Sequence, residues 1–145
     1  MRPKPVQTFE FREMIRELGM SASTGKNWTV GRPFKLEPSI RTATGHGSRN
    51  LYSLGDVWLM GVANELSKAG MAANAIGKVV GAIRAKFPKG LGAVDALYIS
   101  RGDKGTYRIE TREVRLPADS IVRIVVDVRR LRAGIDREVG RLRLG

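Results

Sequence analysis

The sequence predicts an α+β fold in which helices come first, strands second and one helix last. Three observations carry this prediction. Apolar residues recur at helical spacing in several stretches before residue 90, the period changes to that of strands from Val94 onward, and helical spacing returns after Asp127. The expected organisation is a mostly helical unit over residues 1–90 and a small β-rich unit with a terminal helix over residues 91–145.

Met1 to Gln7 holds two prolines and two basic residues and reads as an extended arm, with Thr8 as the cap of the first helix. Phe11, Met14, Ile15 and Leu18 then fall at i, i+3, i+4 and i+7, which places Glu10, Arg12, Glu13, Arg16 and Glu17 mostly outside. Gly19 suits the left-handed residue that ends a helix, and Ser21 suits the cap of the next one. That second helix spans about Ala22 to Thr29. Its Ser23, Thr24, Lys26 and Asn27 are small, polar or basic, and Trp28 is its one large anchor. Such a surface fits the edge of a nucleic-acid groove better than a core. The bland alternative for Ser23 and Thr24 is hydrogen bonding at the helix start.

Thr29 to Asn50 is too rich in glycine and proline for a long helix. Ser39 to Thr42 and Arg49 to Tyr52 read as extended pieces flanking a hairpin tip at Ala43 to Ser48. This wing carries Arg41, His46 and Arg49 on a Gly-rich loop, a chemistry suited to phosphate or minor-groove contact. For His46 the plain reading is a solvent-exposed loop histidine, because one histidine forms no metal cluster. Ser53 to Asp56 has the S-x-x-D form of a helix start, and the helix should continue to Ala69 and end at Gly70. A further helix from about Ala72 to Phe87 is stopped by Pro88, with Trp58 and Phe87 expected in the core.

Val94 to Ser100 and Thr106 to Glu110 read as a β-hairpin, and Ser120 to Val126 suits a third strand. The Arg101-Gly102-Asp103 triplet is read as part of the hairpin turn, without an adhesion role. Asp127 can cap the last helix, where Val128, Leu131, Ile135, Val139 and Leu142 form an apolar seam. That seam needs a partner, either this chain's own sheet or the same helix of a second subunit.

Composition narrows the function. The charge is +12, from 26 Lys and Arg against 14 Asp and Glu, and it is spread along the chain. A basic surface of this size favours polyanions through counterion release. With no cysteine there is no disulfide, thiolate metal site or thiol catalysis. No apolar run approaches the ~20 residues of a membrane span, and no secretion signal is visible, so a cytoplasmic, nucleoid-associated protein without membrane contact is expected. No cofactor is expected. The carboxylates of the C-terminal part lack a His or Cys partner and no nucleotide or hydrolase motif occurs, which argues against an enzyme.

Two stretches carry a family resemblance. Gly19-Met20-Ser21-Ala22-Ser23-Thr24-Gly25-Lys26-Asn27-Trp28 is similar to G-V-S-x-x-T-[IL]-R-Y-Y, and Gly45 to Asp56 looks like G-x-G-x-R-x-[LY]-Y-S-x-x-D. Leu66 to Met71 follows, like L-x-x-x-G-[FV]. With these, residues 8–87 resemble the DNA-binding domain of the MerR family of regulators. The resemblance implies a winged helix-turn-helix domain of four helices with a β wing, working as a homodimer on double-stranded DNA. It also implies that Lys26 stands where the family has a base- or phosphate-contacting arginine. Trp28 stands at an aromatic packed near the sugar-phosphate backbone, and Arg49 and Tyr52 at wing-base positions that set the phosphates. The chain departs from the pattern at Gly25, which replaces an apolar helix former and costs ~1 kcal/mol relative to alanine inside a helix, so a short or bent helix is expected. It departs also at Asn27, which replaces an aromatic, and in the strand-rich C-terminal part.

The leading expectation is a sequence-specific transcriptional regulator. Ser23, Thr24, Lys26 and Asn27 would reach base edges, while Arg41, Arg49 and Tyr52 would set register on phosphates. The alternative is an architectural or accessory DNA-binding protein, excisionase-like or partition-like, that bends or coats DNA. A third expectation, from another class, is an RNA- or protein-binding module.

Overall fold

The computed structural model describes residues 8–31, 35–36, 51–102, 105–115 and 122–144. The expected arm, and the wing with Arg41, His46 and Arg49, lie outside the described residues. Among the described residues the fold is α+β, with five helices and two small antiparallel sheets.

The first element differs from expectation. Thr8 does not cap a helix: β1 (Thr8–Phe9) pairs antiparallel with β2 (Tyr52–Ser53), Thr8 opposite Ser53 and Phe9 opposite Tyr52. Helix α1 (Phe11–Leu18) starts after Glu10, whose N–H donates to Glu13 Oε1 at 3.1 Å. Gly19 ends it in the left-handed conformation at φ 64°, and the Met20 N–H returns to the Ile15 carbonyl at 3.0 Å. Met14 is buried as its spacing predicts. Glu17 is buried too, at 6% exposure, contrary to its expected outward position.

Helix α2 (Ala22–Val30) begins at Ser21, whose Oγ accepts the Thr24 N–H at 3.2 Å. Helix α3 (Leu54–Lys68) begins with a reciprocal cap: Asp56 Oδ2 accepts the Ser53 N–H at 2.9 Å and Ser53 Oγ accepts the Asp56 N–H at 3.1 Å. Helix α4 (Ala73–Lys86) stops just before Pro88 and lends Ile76, Val79, Val80 and Ile83 to the core. Arg84 Nη2 reaches back to Asp56 Oδ1 at 3.3 Å and ties α4 to the start of α3.

Strands β3 (Ala96–Arg101), β4 (Tyr107–Glu110) and β5 (Val122–Asp127) form an antiparallel sheet in the order β4-β3-β5. Ile99 lies opposite Ile109 on one side and Ile124 on the other, so these three share a face with Leu97 and Val126. Helix α5 (Val128–Leu144) follows β5 directly, and Asp127 Oδ1 accepts the Arg130 N–H at 3.0 Å.

The apolar seam of α5 finds its partner inside this chain. Val128, Ile135 and Val139 are buried, and α5 lies mainly against α3 and α1, and less against β3. Gly61 makes this approach possible: a Cβ there would stand 2.8 Å from Ile135 Cδ1 and 3.3 Å from Leu18 Cδ2. Trp58 Nε1 donates to Asp136 Oδ1 at 2.9 Å, and the Arg132 guanidinium sits 5.8 Å from the Trp58 ring centre. Arg132 also donates to the carbonyls of Leu91, at 2.6 Å, and of Val94. One hydrophobic cluster therefore runs from Phe9 to Val139, without a break at residue 90.

Candidate nucleic-acid interface

Helix α2 is held by its back and exposes its front. Gly25 is buried against α1, where a Cβ would come to 2.5 Å from Ile15 Cγ2 and 3.2 Å from Phe11 Cε2. Trp28, one turn on, is 3% exposed, and its carbonyl accepts the Leu36 N–H at 2.7 Å. A glycine that looks like a defect in a helix is here a contact surface. The helix runs unbroken through it for nine residues, so the expected shortening does not occur.

The opposite face carries Ser23, Lys26 and Asn27, all exposed and spaced i, i+3 and i+4, so they lie side by side on one surface. The three supply hydroxyl, ammonium and carboxamide groups, which between them donate and accept, and no acidic residue lies in α2. Thr24 stands apart from them. It is half-buried, and its Oγ1 accepts the Ser21 hydroxyl at 2.8 Å, so its side chain belongs to the helix start. The exposed Arg12 and Arg16 add positive charge on α1.

Two of the expected site residues are interior. Trp28 at 3% and Tyr52 at 0% exposure offer no ring face to a ligand. Their part is to fix positions: Trp28 seats α2 on the core, and Tyr52 pairs with Phe9 in the β1–β2 ladder directly before α3. The expectation had Trp28 near the sugar-phosphate backbone and Tyr52 setting phosphates at the wing base, but both side chains turn inward because a large ring gains more from burial than from a solvated rim. The spacing of charged residues did not reveal the role of Gly25. The available signal was its place three residues before Trp28, on the same side of the helix as that anchor.

A second basic area lies on α5, where Arg129, Arg130 and Arg137 are exposed. Arg141 is differently placed. It hydrogen-bonds Glu138, holding that carboxyl below its usual range and raising its own guanidinium, so both stay charged and Glu138 offsets Arg141 locally. Comparison with protein-family models and with curated proteins returned no match.

Proposed function

We propose that this chain is a sequence-specific DNA-binding transcriptional regulator of MerR-like type. It acts as a homodimer that lays α2 in the major groove and sets a basic wing on the flanking backbone. The observation that carries this reading is the division of α2 into a buried back, Gly25 and Trp28, and an exposed front, Ser23, Lys26 and Asn27. A recognition helix needs both halves: a rigid seat, and polar groups that match the donors and acceptors of base edges. The net charge of +12 supports the same reading, since counterion release supplies affinity that does not depend on sequence.

The test is selection from a random duplex library, followed by affinity for the best and a scrambled site over a salt series. A recurrent motif is expected, with Lys26→Ala lowering the ratio between the two sites by about tenfold, the equivalent of one lost base contact at ~1–3 kcal/mol. Equal binding of both duplexes with steep salt dependence would remove the regulator reading and leave a coating or architectural protein. Preference for single-stranded RNA would remove both.

A further inference from the structure

The two large hydrophobic side chains most exposed on the described surface, Val122 at 52% and Val125 at 54%, belong to one strand. That strand, β5, is an edge of the three-stranded sheet, and among the described residues it pairs only with β3. Edge strands ordinarily carry a guard such as a lysine, a proline or a bulge. Val122 to Asp127 has none of these: its pairing with β3 runs without interruption over all six residues, and its one cation, Arg123, is turned back over the Tyr98 ring at 5.9 Å and donates to the Val114 carbonyl.

A hollow of about 540 Å³ lies beside this strand, with Leu18, Leu66, Leu131 and Ile135 on its walls. Four consecutive strand residues, 124 to 127, line it. Neighbouring residues of a strand point to opposite faces, so a run of four in sequence means that the strand borders the hollow with its edge.

We propose that β5 pairs antiparallel with β5 of a second copy of this chain, about a twofold axis through Val125. The sequence of the strand selects this partner and this register. A twofold axis perpendicular to the sheet keeps each face on its own side, so opposed residues must be an even number apart and the axis must pass through a residue. Centred on Val125, the pairing sets Val125 against Val125, Ile124 against Val126, and Arg123 against Asp127 of the second copy. The last of these pairs occurs twice by symmetry and joins opposite charges directly across the strands. Centred on Ile124, Arg123 meets Val125 and no opposite charges face each other. Within its own chain the Arg123 guanidinium meets the Tyr98 ring, the Val114 carbonyl and, at 3.8 Å, the exposed Glu113, while Asp127 Oδ1 caps α5, so the cross-strand pair forms as Arg123 turns outward from these contacts.

Of the helix seam that the sequence offered for dimerisation, Val128, Ile135 and Val139 are buried inside the chain, whereas Val122 and Val125 of β5 are exposed. This interface gives the homodimer of the preceding section its contact surface, and it stands without DNA.

The chain has no cysteine, so single thiols report the register directly. In the proposed pair two residues at position 125 face each other with Cα atoms about 4.5–5.5 Å apart, within the ~4.4–6.8 Å of a disulfide. Two residues at position 122 lie six places apart, or about 20 Å, beyond any disulfide. The experiment is mild oxidation of Val125→Cys and of Val122→Cys, with sedimentation of the unmodified chain and of Val125→Lys, all in the absence of nucleic acid. Expected are a disulfide dimer from Val125→Cys at least tenfold faster than from Val122→Cys, a sedimenting dimer, and a shift to monomer in Val125→Lys. A monomeric chain, comparable cross-linking at both positions, or a dimer indifferent to Val125→Lys would overturn the proposal. Each result is independent of site selection on DNA, so failure here leaves recognition of DNA by α2 standing, and failure of site selection leaves this interface standing.

Discussion

Replacing Gly25 by alanine tests the seat of α2. An added Cβ meets Ile15 Cγ2 at 2.5 Å and Phe11 Cε2 at 3.2 Å, against an ordinary carbon contact of about 3.5–4.0 Å. Ile15 is β-branched and stiff at χ1 within a helix, so α2 must back away from α1 by about 1 Å or Ile15 must leave its rotamer. Overpacking of this kind costs about 1–3 kcal/mol. Helix propensity works the other way, since alanine is better than glycine in a helix by about 0.8–1.0 kcal/mol. The net is a destabilisation on the order of 1 kcal/mol. Urea unfolding reads it as a lower midpoint at unchanged slope. The sign should reverse in an Ile15→Ala background, where the obstructing Cγ2 is gone and Gly25→Ala should stabilise by about 0.5–1 kcal/mol. If Gly25→Ala stabilises the unaltered chain by that same amount, the close approach of α1 and α2 is wrong.

Two further substitutions test the junctions around the core. Asp56→Ala removes the acceptor of the Ser53 N–H and the partner of Arg84, and should cost about 3 kcal/mol in the same unfolding assay, because Asp56 is buried while Arg84 is about one-third exposed. Asp56→Asn keeps an acceptor without the charge and should lose roughly half as much; equal losses from the two would show that the charge does nothing. Arg132→Met preserves the aliphatic stem but gives up the donors to the Leu91 and Val94 carbonyls, and should cost about 2–3 kcal/mol. Faster amide exchange around residues 91–95 should accompany it, and unchanged exchange there would count against the clamp.

The sequence by itself determined the helices and, except for α1, how they begin. The spacing of Met14 and Leu18, of Ile76, Val79 and Ile83, and of Val128, Ile135 and Val139 marks the buried sides of α1, α4 and α5. Ser21 and the Ser53–Asp56 pair cap within three residues of themselves, and Gly19 ends α1 locally. Strand identity from residue 96 onward was equally legible, because β-branched and aromatic runs bounded by turn residues mark a strand without reference to its neighbours. The polar front of α2 was legible for the same reason.

Only the tertiary structure decided what each face meets. The pairing of Thr8–Phe9 with Tyr52–Ser53 joins two-residue strands more than forty positions apart, too short to leave a period and too distant to be coupled by local rules. Glu17 is interior because α3 and α5 close beside it, which a single helix cannot announce. Gly25 and Gly61 are needed where two helices approach within the reach of a Cβ, and a glycine in a sequence does not state which neighbour it makes room for. Periodicity tells which side chains share a face, whereas the identity of the opposing surface is set by packing among distant segments, which is why Trp28 and Tyr52 lie in the core and the α5 seam closes on its own chain.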